Sequence, residues 1–300
     1  MKRIQLTQDG PALSQIVAGM MRLREWHLTG ESLRSFIGQC LDWGVTTFDH
    51  ADIYGSYTCE GVFGEALAAV PGLRSRMELV TKCGIQLVSP NRPGTRVHHY
   101  DTSRDHVITS AENSLRQLRT DYLDVLLIHR PDPLMDADEV AAALTALRDS
   151  GKVRHCGVSN FMPWQFHLLQ ARLDFPLVTN QIELSVLHLA PLHDGTLDQM
   201  QRLRVPVMAW SPVGGGRLFG NDERARRVRD AIAQAGRELG GASIDQIALA
   251  WIMRHPVPVL PVLGTGRLER IQAAVAATEL ALDRQQWFTI WEASAGHEVP

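Results

Sequence analysis

The strongest constraint in this chain is a repeating pattern. Eight times, a short apolar run rich in β-branched residues gives way to a loop and then to a segment with helical spacing. The runs cover residues 15–20, 46–51, 77–83, 122–129, 153–160, 177–183, 206–212 and 257–264. Each is too short and too apolar to stand alone, as expected of strands covered on both faces. Strands alternating with helices imply parallel βαβ units. Eight units in succession predict an α/β chain closed as a (β/α)8 TIM barrel, spanning residues 1–300 as a single domain.

The intervening helices are predicted over 31–43, 104–118, 137–150, 164–173 and 197–203. Two more, 222–239 and 243–255, lie between the seventh and eighth strands, and two, 268–278 and one starting near Asp283, follow the eighth. Ser243 and Gln246 stand at capping-box positions for the second of the extra helices. Ahead of the first strand, Ile4-Gln5-Leu6 and Leu13-Ser14-Gln15-Ile16-Val17 flank an Asp9-Gly10-Pro11 turn, which predicts a capping hairpin. Two connections, 84–103 and 213–221, are long for βα loops and therefore candidates for function.

Composition narrows the partners. The formal net charge is −3, so nothing draws the chain to nucleic acid or an acidic membrane. No run approaches the ~20 apolar residues of a membrane helix, and no signal peptide is evident. The four cysteines, Cys40, Cys59, Cys83 and Cys156, have no pairing pattern and fit reduced thiols in the cytoplasm. A monomer or weak homo-oligomer acting on a small molecule is expected.

The strand ends carry the chemistry. The second strand runs out in Phe48-Asp49-His50-Ala51-Asp52-Ile53-Tyr54-Gly55, the third in Thr81-Lys82, and the fourth in Ile128-His129. A carboxylate at the end of an apolar strand is costly unless paired. A barrel brings Asp49, Tyr54, Lys82 and His129 from three neighbouring strands to one mouth. Asp49 can then anchor Lys82, and the ammonium is expected to lower the proton affinity of the Tyr54 phenol. Tyr54 then becomes a usable general acid, and His129 can add a hydrogen bond to a carbonyl oxygen or help relay the proton. Carbonyl reduction is a reaction that needs this set. Taken singly, each of the four is more often a structural or solvated residue; their joint placement makes the case. His50 and His155 read as packing, and His98-His99 has no regular ligand spacing, so no metal site is expected.

At these residues the chain resembles the aldo-keto reductases, from about residue 16 to 277. The motifs are Phe48-Asp49-x-Ala51-x-x-Tyr54-Gly55, Thr81-Lys82, Leu127-Ile128-His129, Gly151-Lys152-Val153-Arg154-x-x-Gly157-Val158-Ser159-Asn160 and Asn180-Gln181-x-Glu183. A bacterial branch of that family matches further, through His129-Arg130-Pro131-Asp132 and Gly214-Gly215-Gly216-Arg217-Leu218-Phe219.

The resemblance implies an NADPH-dependent reductase of small aldehydes or ketones, with Asp49, Tyr54, Lys82 and His129 as its catalytic set. It implies that Ser159, Asn160 and Gln181 bind the carboxamide and that Trp210 stacks on the nicotinamide. Ser211, Pro212, Val213, Gly214 and Gly216 would cover the pyrophosphate, and Gly264, Thr265, Arg267 and Arg270 would form the last part of the cofactor site, Arg270 with Arg267 holding the adenosine 2′-phosphate. The family's Glu and Asn at the adenine are replaced here by Ala273 and Ala274. Met20, Met21, Trp26, Ile53 and His129, with residues of the 84–103 loop, are expected to line the substrate site. An alternative reading is an NADPH-binding sensor or interaction protein of the same fold with little turnover.

Overall fold

The computed structural model describes residues Met1–Pro300. Its frame is a closed barrel of eight parallel strands: β1 (Val17–Gly19), β2 (Thr47–Asp49), β3 (Glu78–Cys83), β4 (Leu123–Ile128), β5 (Val153–Ser159), β6 (Leu177–Glu183), β7 (Val207–Trp210) and β8 (Val259–Leu263). Each strand pairs with its sequence neighbours, and β8 closes onto β1 through Val262 opposite Val17. All eight predicted runs become barrel strands, although the regular parts of β1 and β2 are only three residues long.

The N-terminal hairpin forms between Arg3–Gln5 and Ala12–Ser14. Its Ile4, Leu6 and Leu13 enter the barrel and join Val17, Val80, Val125, Leu127, Val178, Met208, Leu260 and Val262 in one buried cluster. Ser14 Oγ accepts from the amides of Thr46 and Thr47 at 3.1 Å, and Arg3 donates to Thr46 and Glu78, so the hairpin is stitched to the starts of the strands. That seals the lower mouth with apolar side chains. The upper mouth, where the strands end, is left for polar residues.

The helices pack outside the barrel in one core with its outward-facing strand residues. Their starts follow from capping chemistry: Ser103, Asp136, Asp222 and Asp283 each accept from a first-turn amide. Ser243 and Gln246 form the expected capping box. All four cysteines are buried and unpaired.

One helix, Cys59–Ala68 between β2 and β3, was not expected from the sequence. Gly61 and Gly64 interrupt it, and glycine inside a helix costs roughly 0.5–1 kcal/mol relative to alanine. The structure gives the reason for one of them. A Cβ on Gly64 would sit 2.0 Å from the backbone oxygen of Gln117 and 2.8 Å from Leu118 Cα. The neighbouring helix Arg104–Leu118 is therefore in direct contact with the glycine's backbone. Gly64→Ala is expected to destabilise the protein by about 2 kcal/mol or more, because backbone rather than a mobile side chain must move. Gly38→Ala, in helix Gly30–Asp42 with no atom within 4 Å of the added carbon, should raise stability slightly. Urea denaturation of the two variants provides the comparison.

Candidate active site

A cleft of about 820 Å³ opens at the C-terminal ends of the strands. Below its floor lies Lys82, at the end of β3, fully buried. Its ammonium is 2.8 Å from both carboxylate oxygens of Asp49, 2.7 Å from the His50 carbonyl and 3.0 Å from Tyr54 Oη. Lys82 thus bonds to the phenol from beneath, while Tyr54 faces the cleft. His129, just past β4, stands across from Tyr54 with ring centroids 6.0 Å apart and nearly perpendicular.

Asp49 has a second partner that the sequence motifs do not suggest. Gln181 Nε2, on β6 across the barrel, donates to Asp49 Oδ1 at 2.8 Å. The carboxylate that fixes Lys82 is itself fixed by an amide 132 residues away. The Gln181 nitrogen is committed to this bond.

Tyr54 owes its position to an unusual turn. Gly55, Ser56 and Tyr57 all adopt left-handed backbone conformations, with φ of 58°, 55° and 69°. At Gly55 an added Cβ would meet Cys59 Sγ at 2.6 Å and Arg24 Cγ at 2.8 Å, so only glycine fits. Ser56 and Tyr57 have no such exemption, and strain of this kind concentrates at functional sites. Tyr57 Oη accepts from the Leu87 amide at 2.8 Å, tying the long loop 84–103 to this turn. That loop contains a small antiparallel pair, Ile85–Gln86 with His99–Tyr100.

The electrostatics differ from the sequence expectation in one respect. Burial pushes the Tyr54 phenol up, and the charge of Lys82 pulls it down without overcoming burial, so the net shift is upward. The Tyr54 proton is therefore held through neutral pH. Burial also works against charge on Lys82, but Asp49 and Tyr54 outweigh it and hold the ammonium protonated. His129 is driven well below the usual histidine range by burial, and further by the charges of Lys82 and Arg130. It is neutral at pH 7. His50 is pushed down to about 3 by burial and Lys82, and its ring stands edge-on to Phe63, as the packing reading expects. Beneath the site, burial raises Asp52 to about 6 and Glu60 to about 7, each holding one hydroxyl donor, Ser110 and Thr81.

The remaining polar groups gather along the same cleft. Ser159 donates to the Gln181 carbonyl at 2.8 Å, and Asn160 donates to Ser159 Oγ at 2.8 Å while accepting from Trp210 Nε1 at 2.9 Å. Asn160 and Ser211, both lining the cleft, have positive φ values of 61° and 50°. Pro212, Val213, Gly216, Gly264, Thr265 and Arg270 continue the lining. Gly214 is instead buried behind Leu187, and Gly215 takes the exposed place. Arg267 occupies the N-cap position of helix Leu268–Ala277 without a side-chain capping bond, and it does not line the cleft.

Of the expected substrate residues, Met21, Ile53 and His129 line the cleft, and the long loop contributes Ile85 and Leu87. Met20 is fully buried in the core, so only Met21 of the two methionines reaches the wall. Trp26 packs on Phe36 at 5.7 Å, with the Gly266 backbone pressed against its ring, and does not line the cleft. Arg22, Arg130, Phe219, Asp245 and Leu249 line it without having been anticipated.

Comparison with known proteins supplies the family. The Aldo/keto reductase family model matches residues 15–295. The chain belongs to that family. It is 55% identical to Escherichia coli "Oxidoreductase YdhF" over all of this chain and 99% of that one. It is 47% identical to the Agrobacterium fabrum "6-dehydroglucose reductase" over the full length of both. Among solved structures, the glycerol dehydrogenase AKR11B4 from Gluconobacter oxydans superposes with a TM-score of 0.85 at 24% identity, covering 98% of this chain and 95% of that one, and shares the fold. The protein is thus an oxidoreductase of the aldo-keto reductase family on a (β/α)8 barrel, and no helix is long and apolar enough to cross a membrane.

Proposed function

We propose that this enzyme uses NADPH to reduce small aldehydes or ketones to alcohols, with Tyr54 as the general acid. The observation that carries the reading is the Lys82 ammonium, fixed on Asp49 and bonded to Tyr54 Oη at 3.0 Å beneath the cleft floor. Carbonyl reduction leaves negative charge on an oxygen. Tyr54 can hand its proton to that oxygen, and the fixed ammonium then stabilises the phenolate left behind. His129, neutral and across from Tyr54, can donate a hydrogen bond that orients the carbonyl. The name of the Agrobacterium relative, a reductase of 6-dehydroglucose, supports carbonyl reduction as the reaction class.

The residues fit a nicotinamide dinucleotide. Gln181 bonds to Asp49 through its nitrogen, which leaves its carbonyl oxygen to accept from a carboxamide, while Ser159 and Asn160 lie beside it. Trp210, held by Asn160, offers an indole face to a flat ring. Gly215 and Gly216, with φ of 64° and 95°, form a loop whose backbone a phosphate can approach closely. Arg270 and Thr265 at the far end suit a 2′-phosphate, which favours NADPH over NADH. Bound reduced nicotinamide supplies the hydride that the carbonyl carbon receives. Consumption of NADPH and NADH is to be followed with a panel of aldehydes and ketones. Turnover with NADPH at least tenfold faster than with NADH is expected. NADPH binding without oxidation across the panel would replace this reading with that of a sensor.

A further inference from the structure

We infer that Arg130 selects the substrate, and that the carbonyl compounds reduced here carry an oxyanion, a carboxylate or phosphate, within a few atoms of the carbonyl. This rests on the reductase reading above. Arg130 directly follows His129, and both line the cleft. Its charge bears on both Tyr54 and His129, so it acts at the same end of the cleft as the proton donor. Pro131 restricts the Arg130 backbone to extended conformations, which limits its freedom to turn away.

The guanidinium has no anionic partner in the protein. It forms neither a hydrogen bond nor an ion pair, and rests over the Trp210 ring at 5.4 Å from the centroid. The nearest acid in sequence is occupied: Asp132 accepts from Thr102 Oγ1 at 2.9 Å and from the Leu134 amide at 2.8 Å. Arg74, also half-buried, shows the contrast. Its fork bonds to Thr120, Met77, Tyr122 and Asp124, all between 2.7 and 2.9 Å. A guanidinium has five donors in a fixed plane, and contact with an aromatic face uses none of them. A cation–π contact is weaker than a desolvated bidentate pair with an oxyanion. The indole holds Arg130 in place while its donors stay available to whatever enters beside His129. Met20 and Trp26, expected in the substrate site, lie outside the cleft, while Arg130 lies within it.

Two pairs of probes test the inference: succinic semialdehyde against butanal, and glyceraldehyde 3-phosphate against glyceraldehyde. The readout is the ratio of kcat/KM, charged to neutral, within one enzyme. For at least one pair the wild-type ratio should exceed about 10, and the pair that does so identifies carboxylate or phosphate. In Arg130→Met the ratio should fall to near 1, and Arg130→Lys should retain an intermediate value. NADPH affinity, read by fluorescence titration, should change less than about threefold in both variants, which also reports that they fold. A wild type that reduces the neutral aldehydes as well as the charged ones overturns the inference and leaves the reductase reading standing. So does a ratio that survives Arg130→Met, or a variant whose main defect is NADPH affinity. Failure to reduce any aldehyde removes the reductase reading and this inference with it.

Discussion

Replacing Tyr54 by Phe is expected to lower aldehyde turnover by about 10³-fold while NADPH affinity changes less than about threefold. The substitution removes one oxygen and leaves the ring, so the turn over residues 55–57 and the T-shaped contact with His129 remain. Only Lys82 loses a partner, and it retains both Asp49 oxygens and the His50 carbonyl. No other residue stands ready to donate this proton: His129 is neutral and Lys82 is committed below the floor. Steady-state rates and a fluorescence titration with NADPH decide the matter. Loss of cofactor affinity equal to the loss of rate would make Tyr54 a binding residue instead. The pH profile has a definite sign. Burial holds the phenol above its ordinary range, so the acid form is complete through neutral pH. Reduction should be flat from about pH 6 to 9 and fall only as the phenol ionises at higher pH, whereas oxidation of an alcohol, which needs the phenolate, should rise there.

The fold was legible because barrel strands announce themselves twice, by apolar runs and by the helices between them. What escaped was set by contacts between distant segments. Helix Cys59–Ala68 has glycines where a helix should be strongest, and the demand for Gly64 comes from the backbone at Gln117. The four catalytic candidates were legible as costly polar groups at strand ends, and the structure brings them together. The direction of the Tyr54 shift was not, because burial is a property of the whole site and outweighs the neighbouring charge. Met20 and Met21 show a finer limit. Where a strand gives way to a loop, the alternation of faces stops being a guide, and which of two adjacent methionines reaches the cleft depends on the loop's path. Arg130 was passed over for a related reason. An arginine beyond a strand end reads as solvated, and its lack of an anionic partner becomes visible only when every nearby carboxylate has been accounted for.

Lys82→Met should have the largest effect on stability, on the order of 3–5 kcal/mol, together with a loss of turnover of at least about 10²-fold. The reason is Asp49. It is 2% exposed, and without Lys82 its remaining side-chain partner is the Gln181 amide. A buried carboxylate without its counter-charge favours the protonated acid. In the variant, Asp49 therefore binds its proton more tightly folded than unfolded, so stability is highest below the ordinary carboxylate range and declines as pH rises toward 8. Urea denaturation at pH 5 and pH 8 should show the variant losing more against the wild type at the higher pH. A second substitution separates the two roles of the ammonium. Lys82→Met with Asp49→Asn removes the stranded charge and keeps a group that can bond to Gln181, so most of the stability and its pH-independence should return. Turnover should not, because Tyr54 would still lack the charge that stabilises its phenolate. Recovery of activity in the double variant would mean that Lys82 serves only to neutralise Asp49, and that proton transfer from Tyr54 needs no cation beneath it.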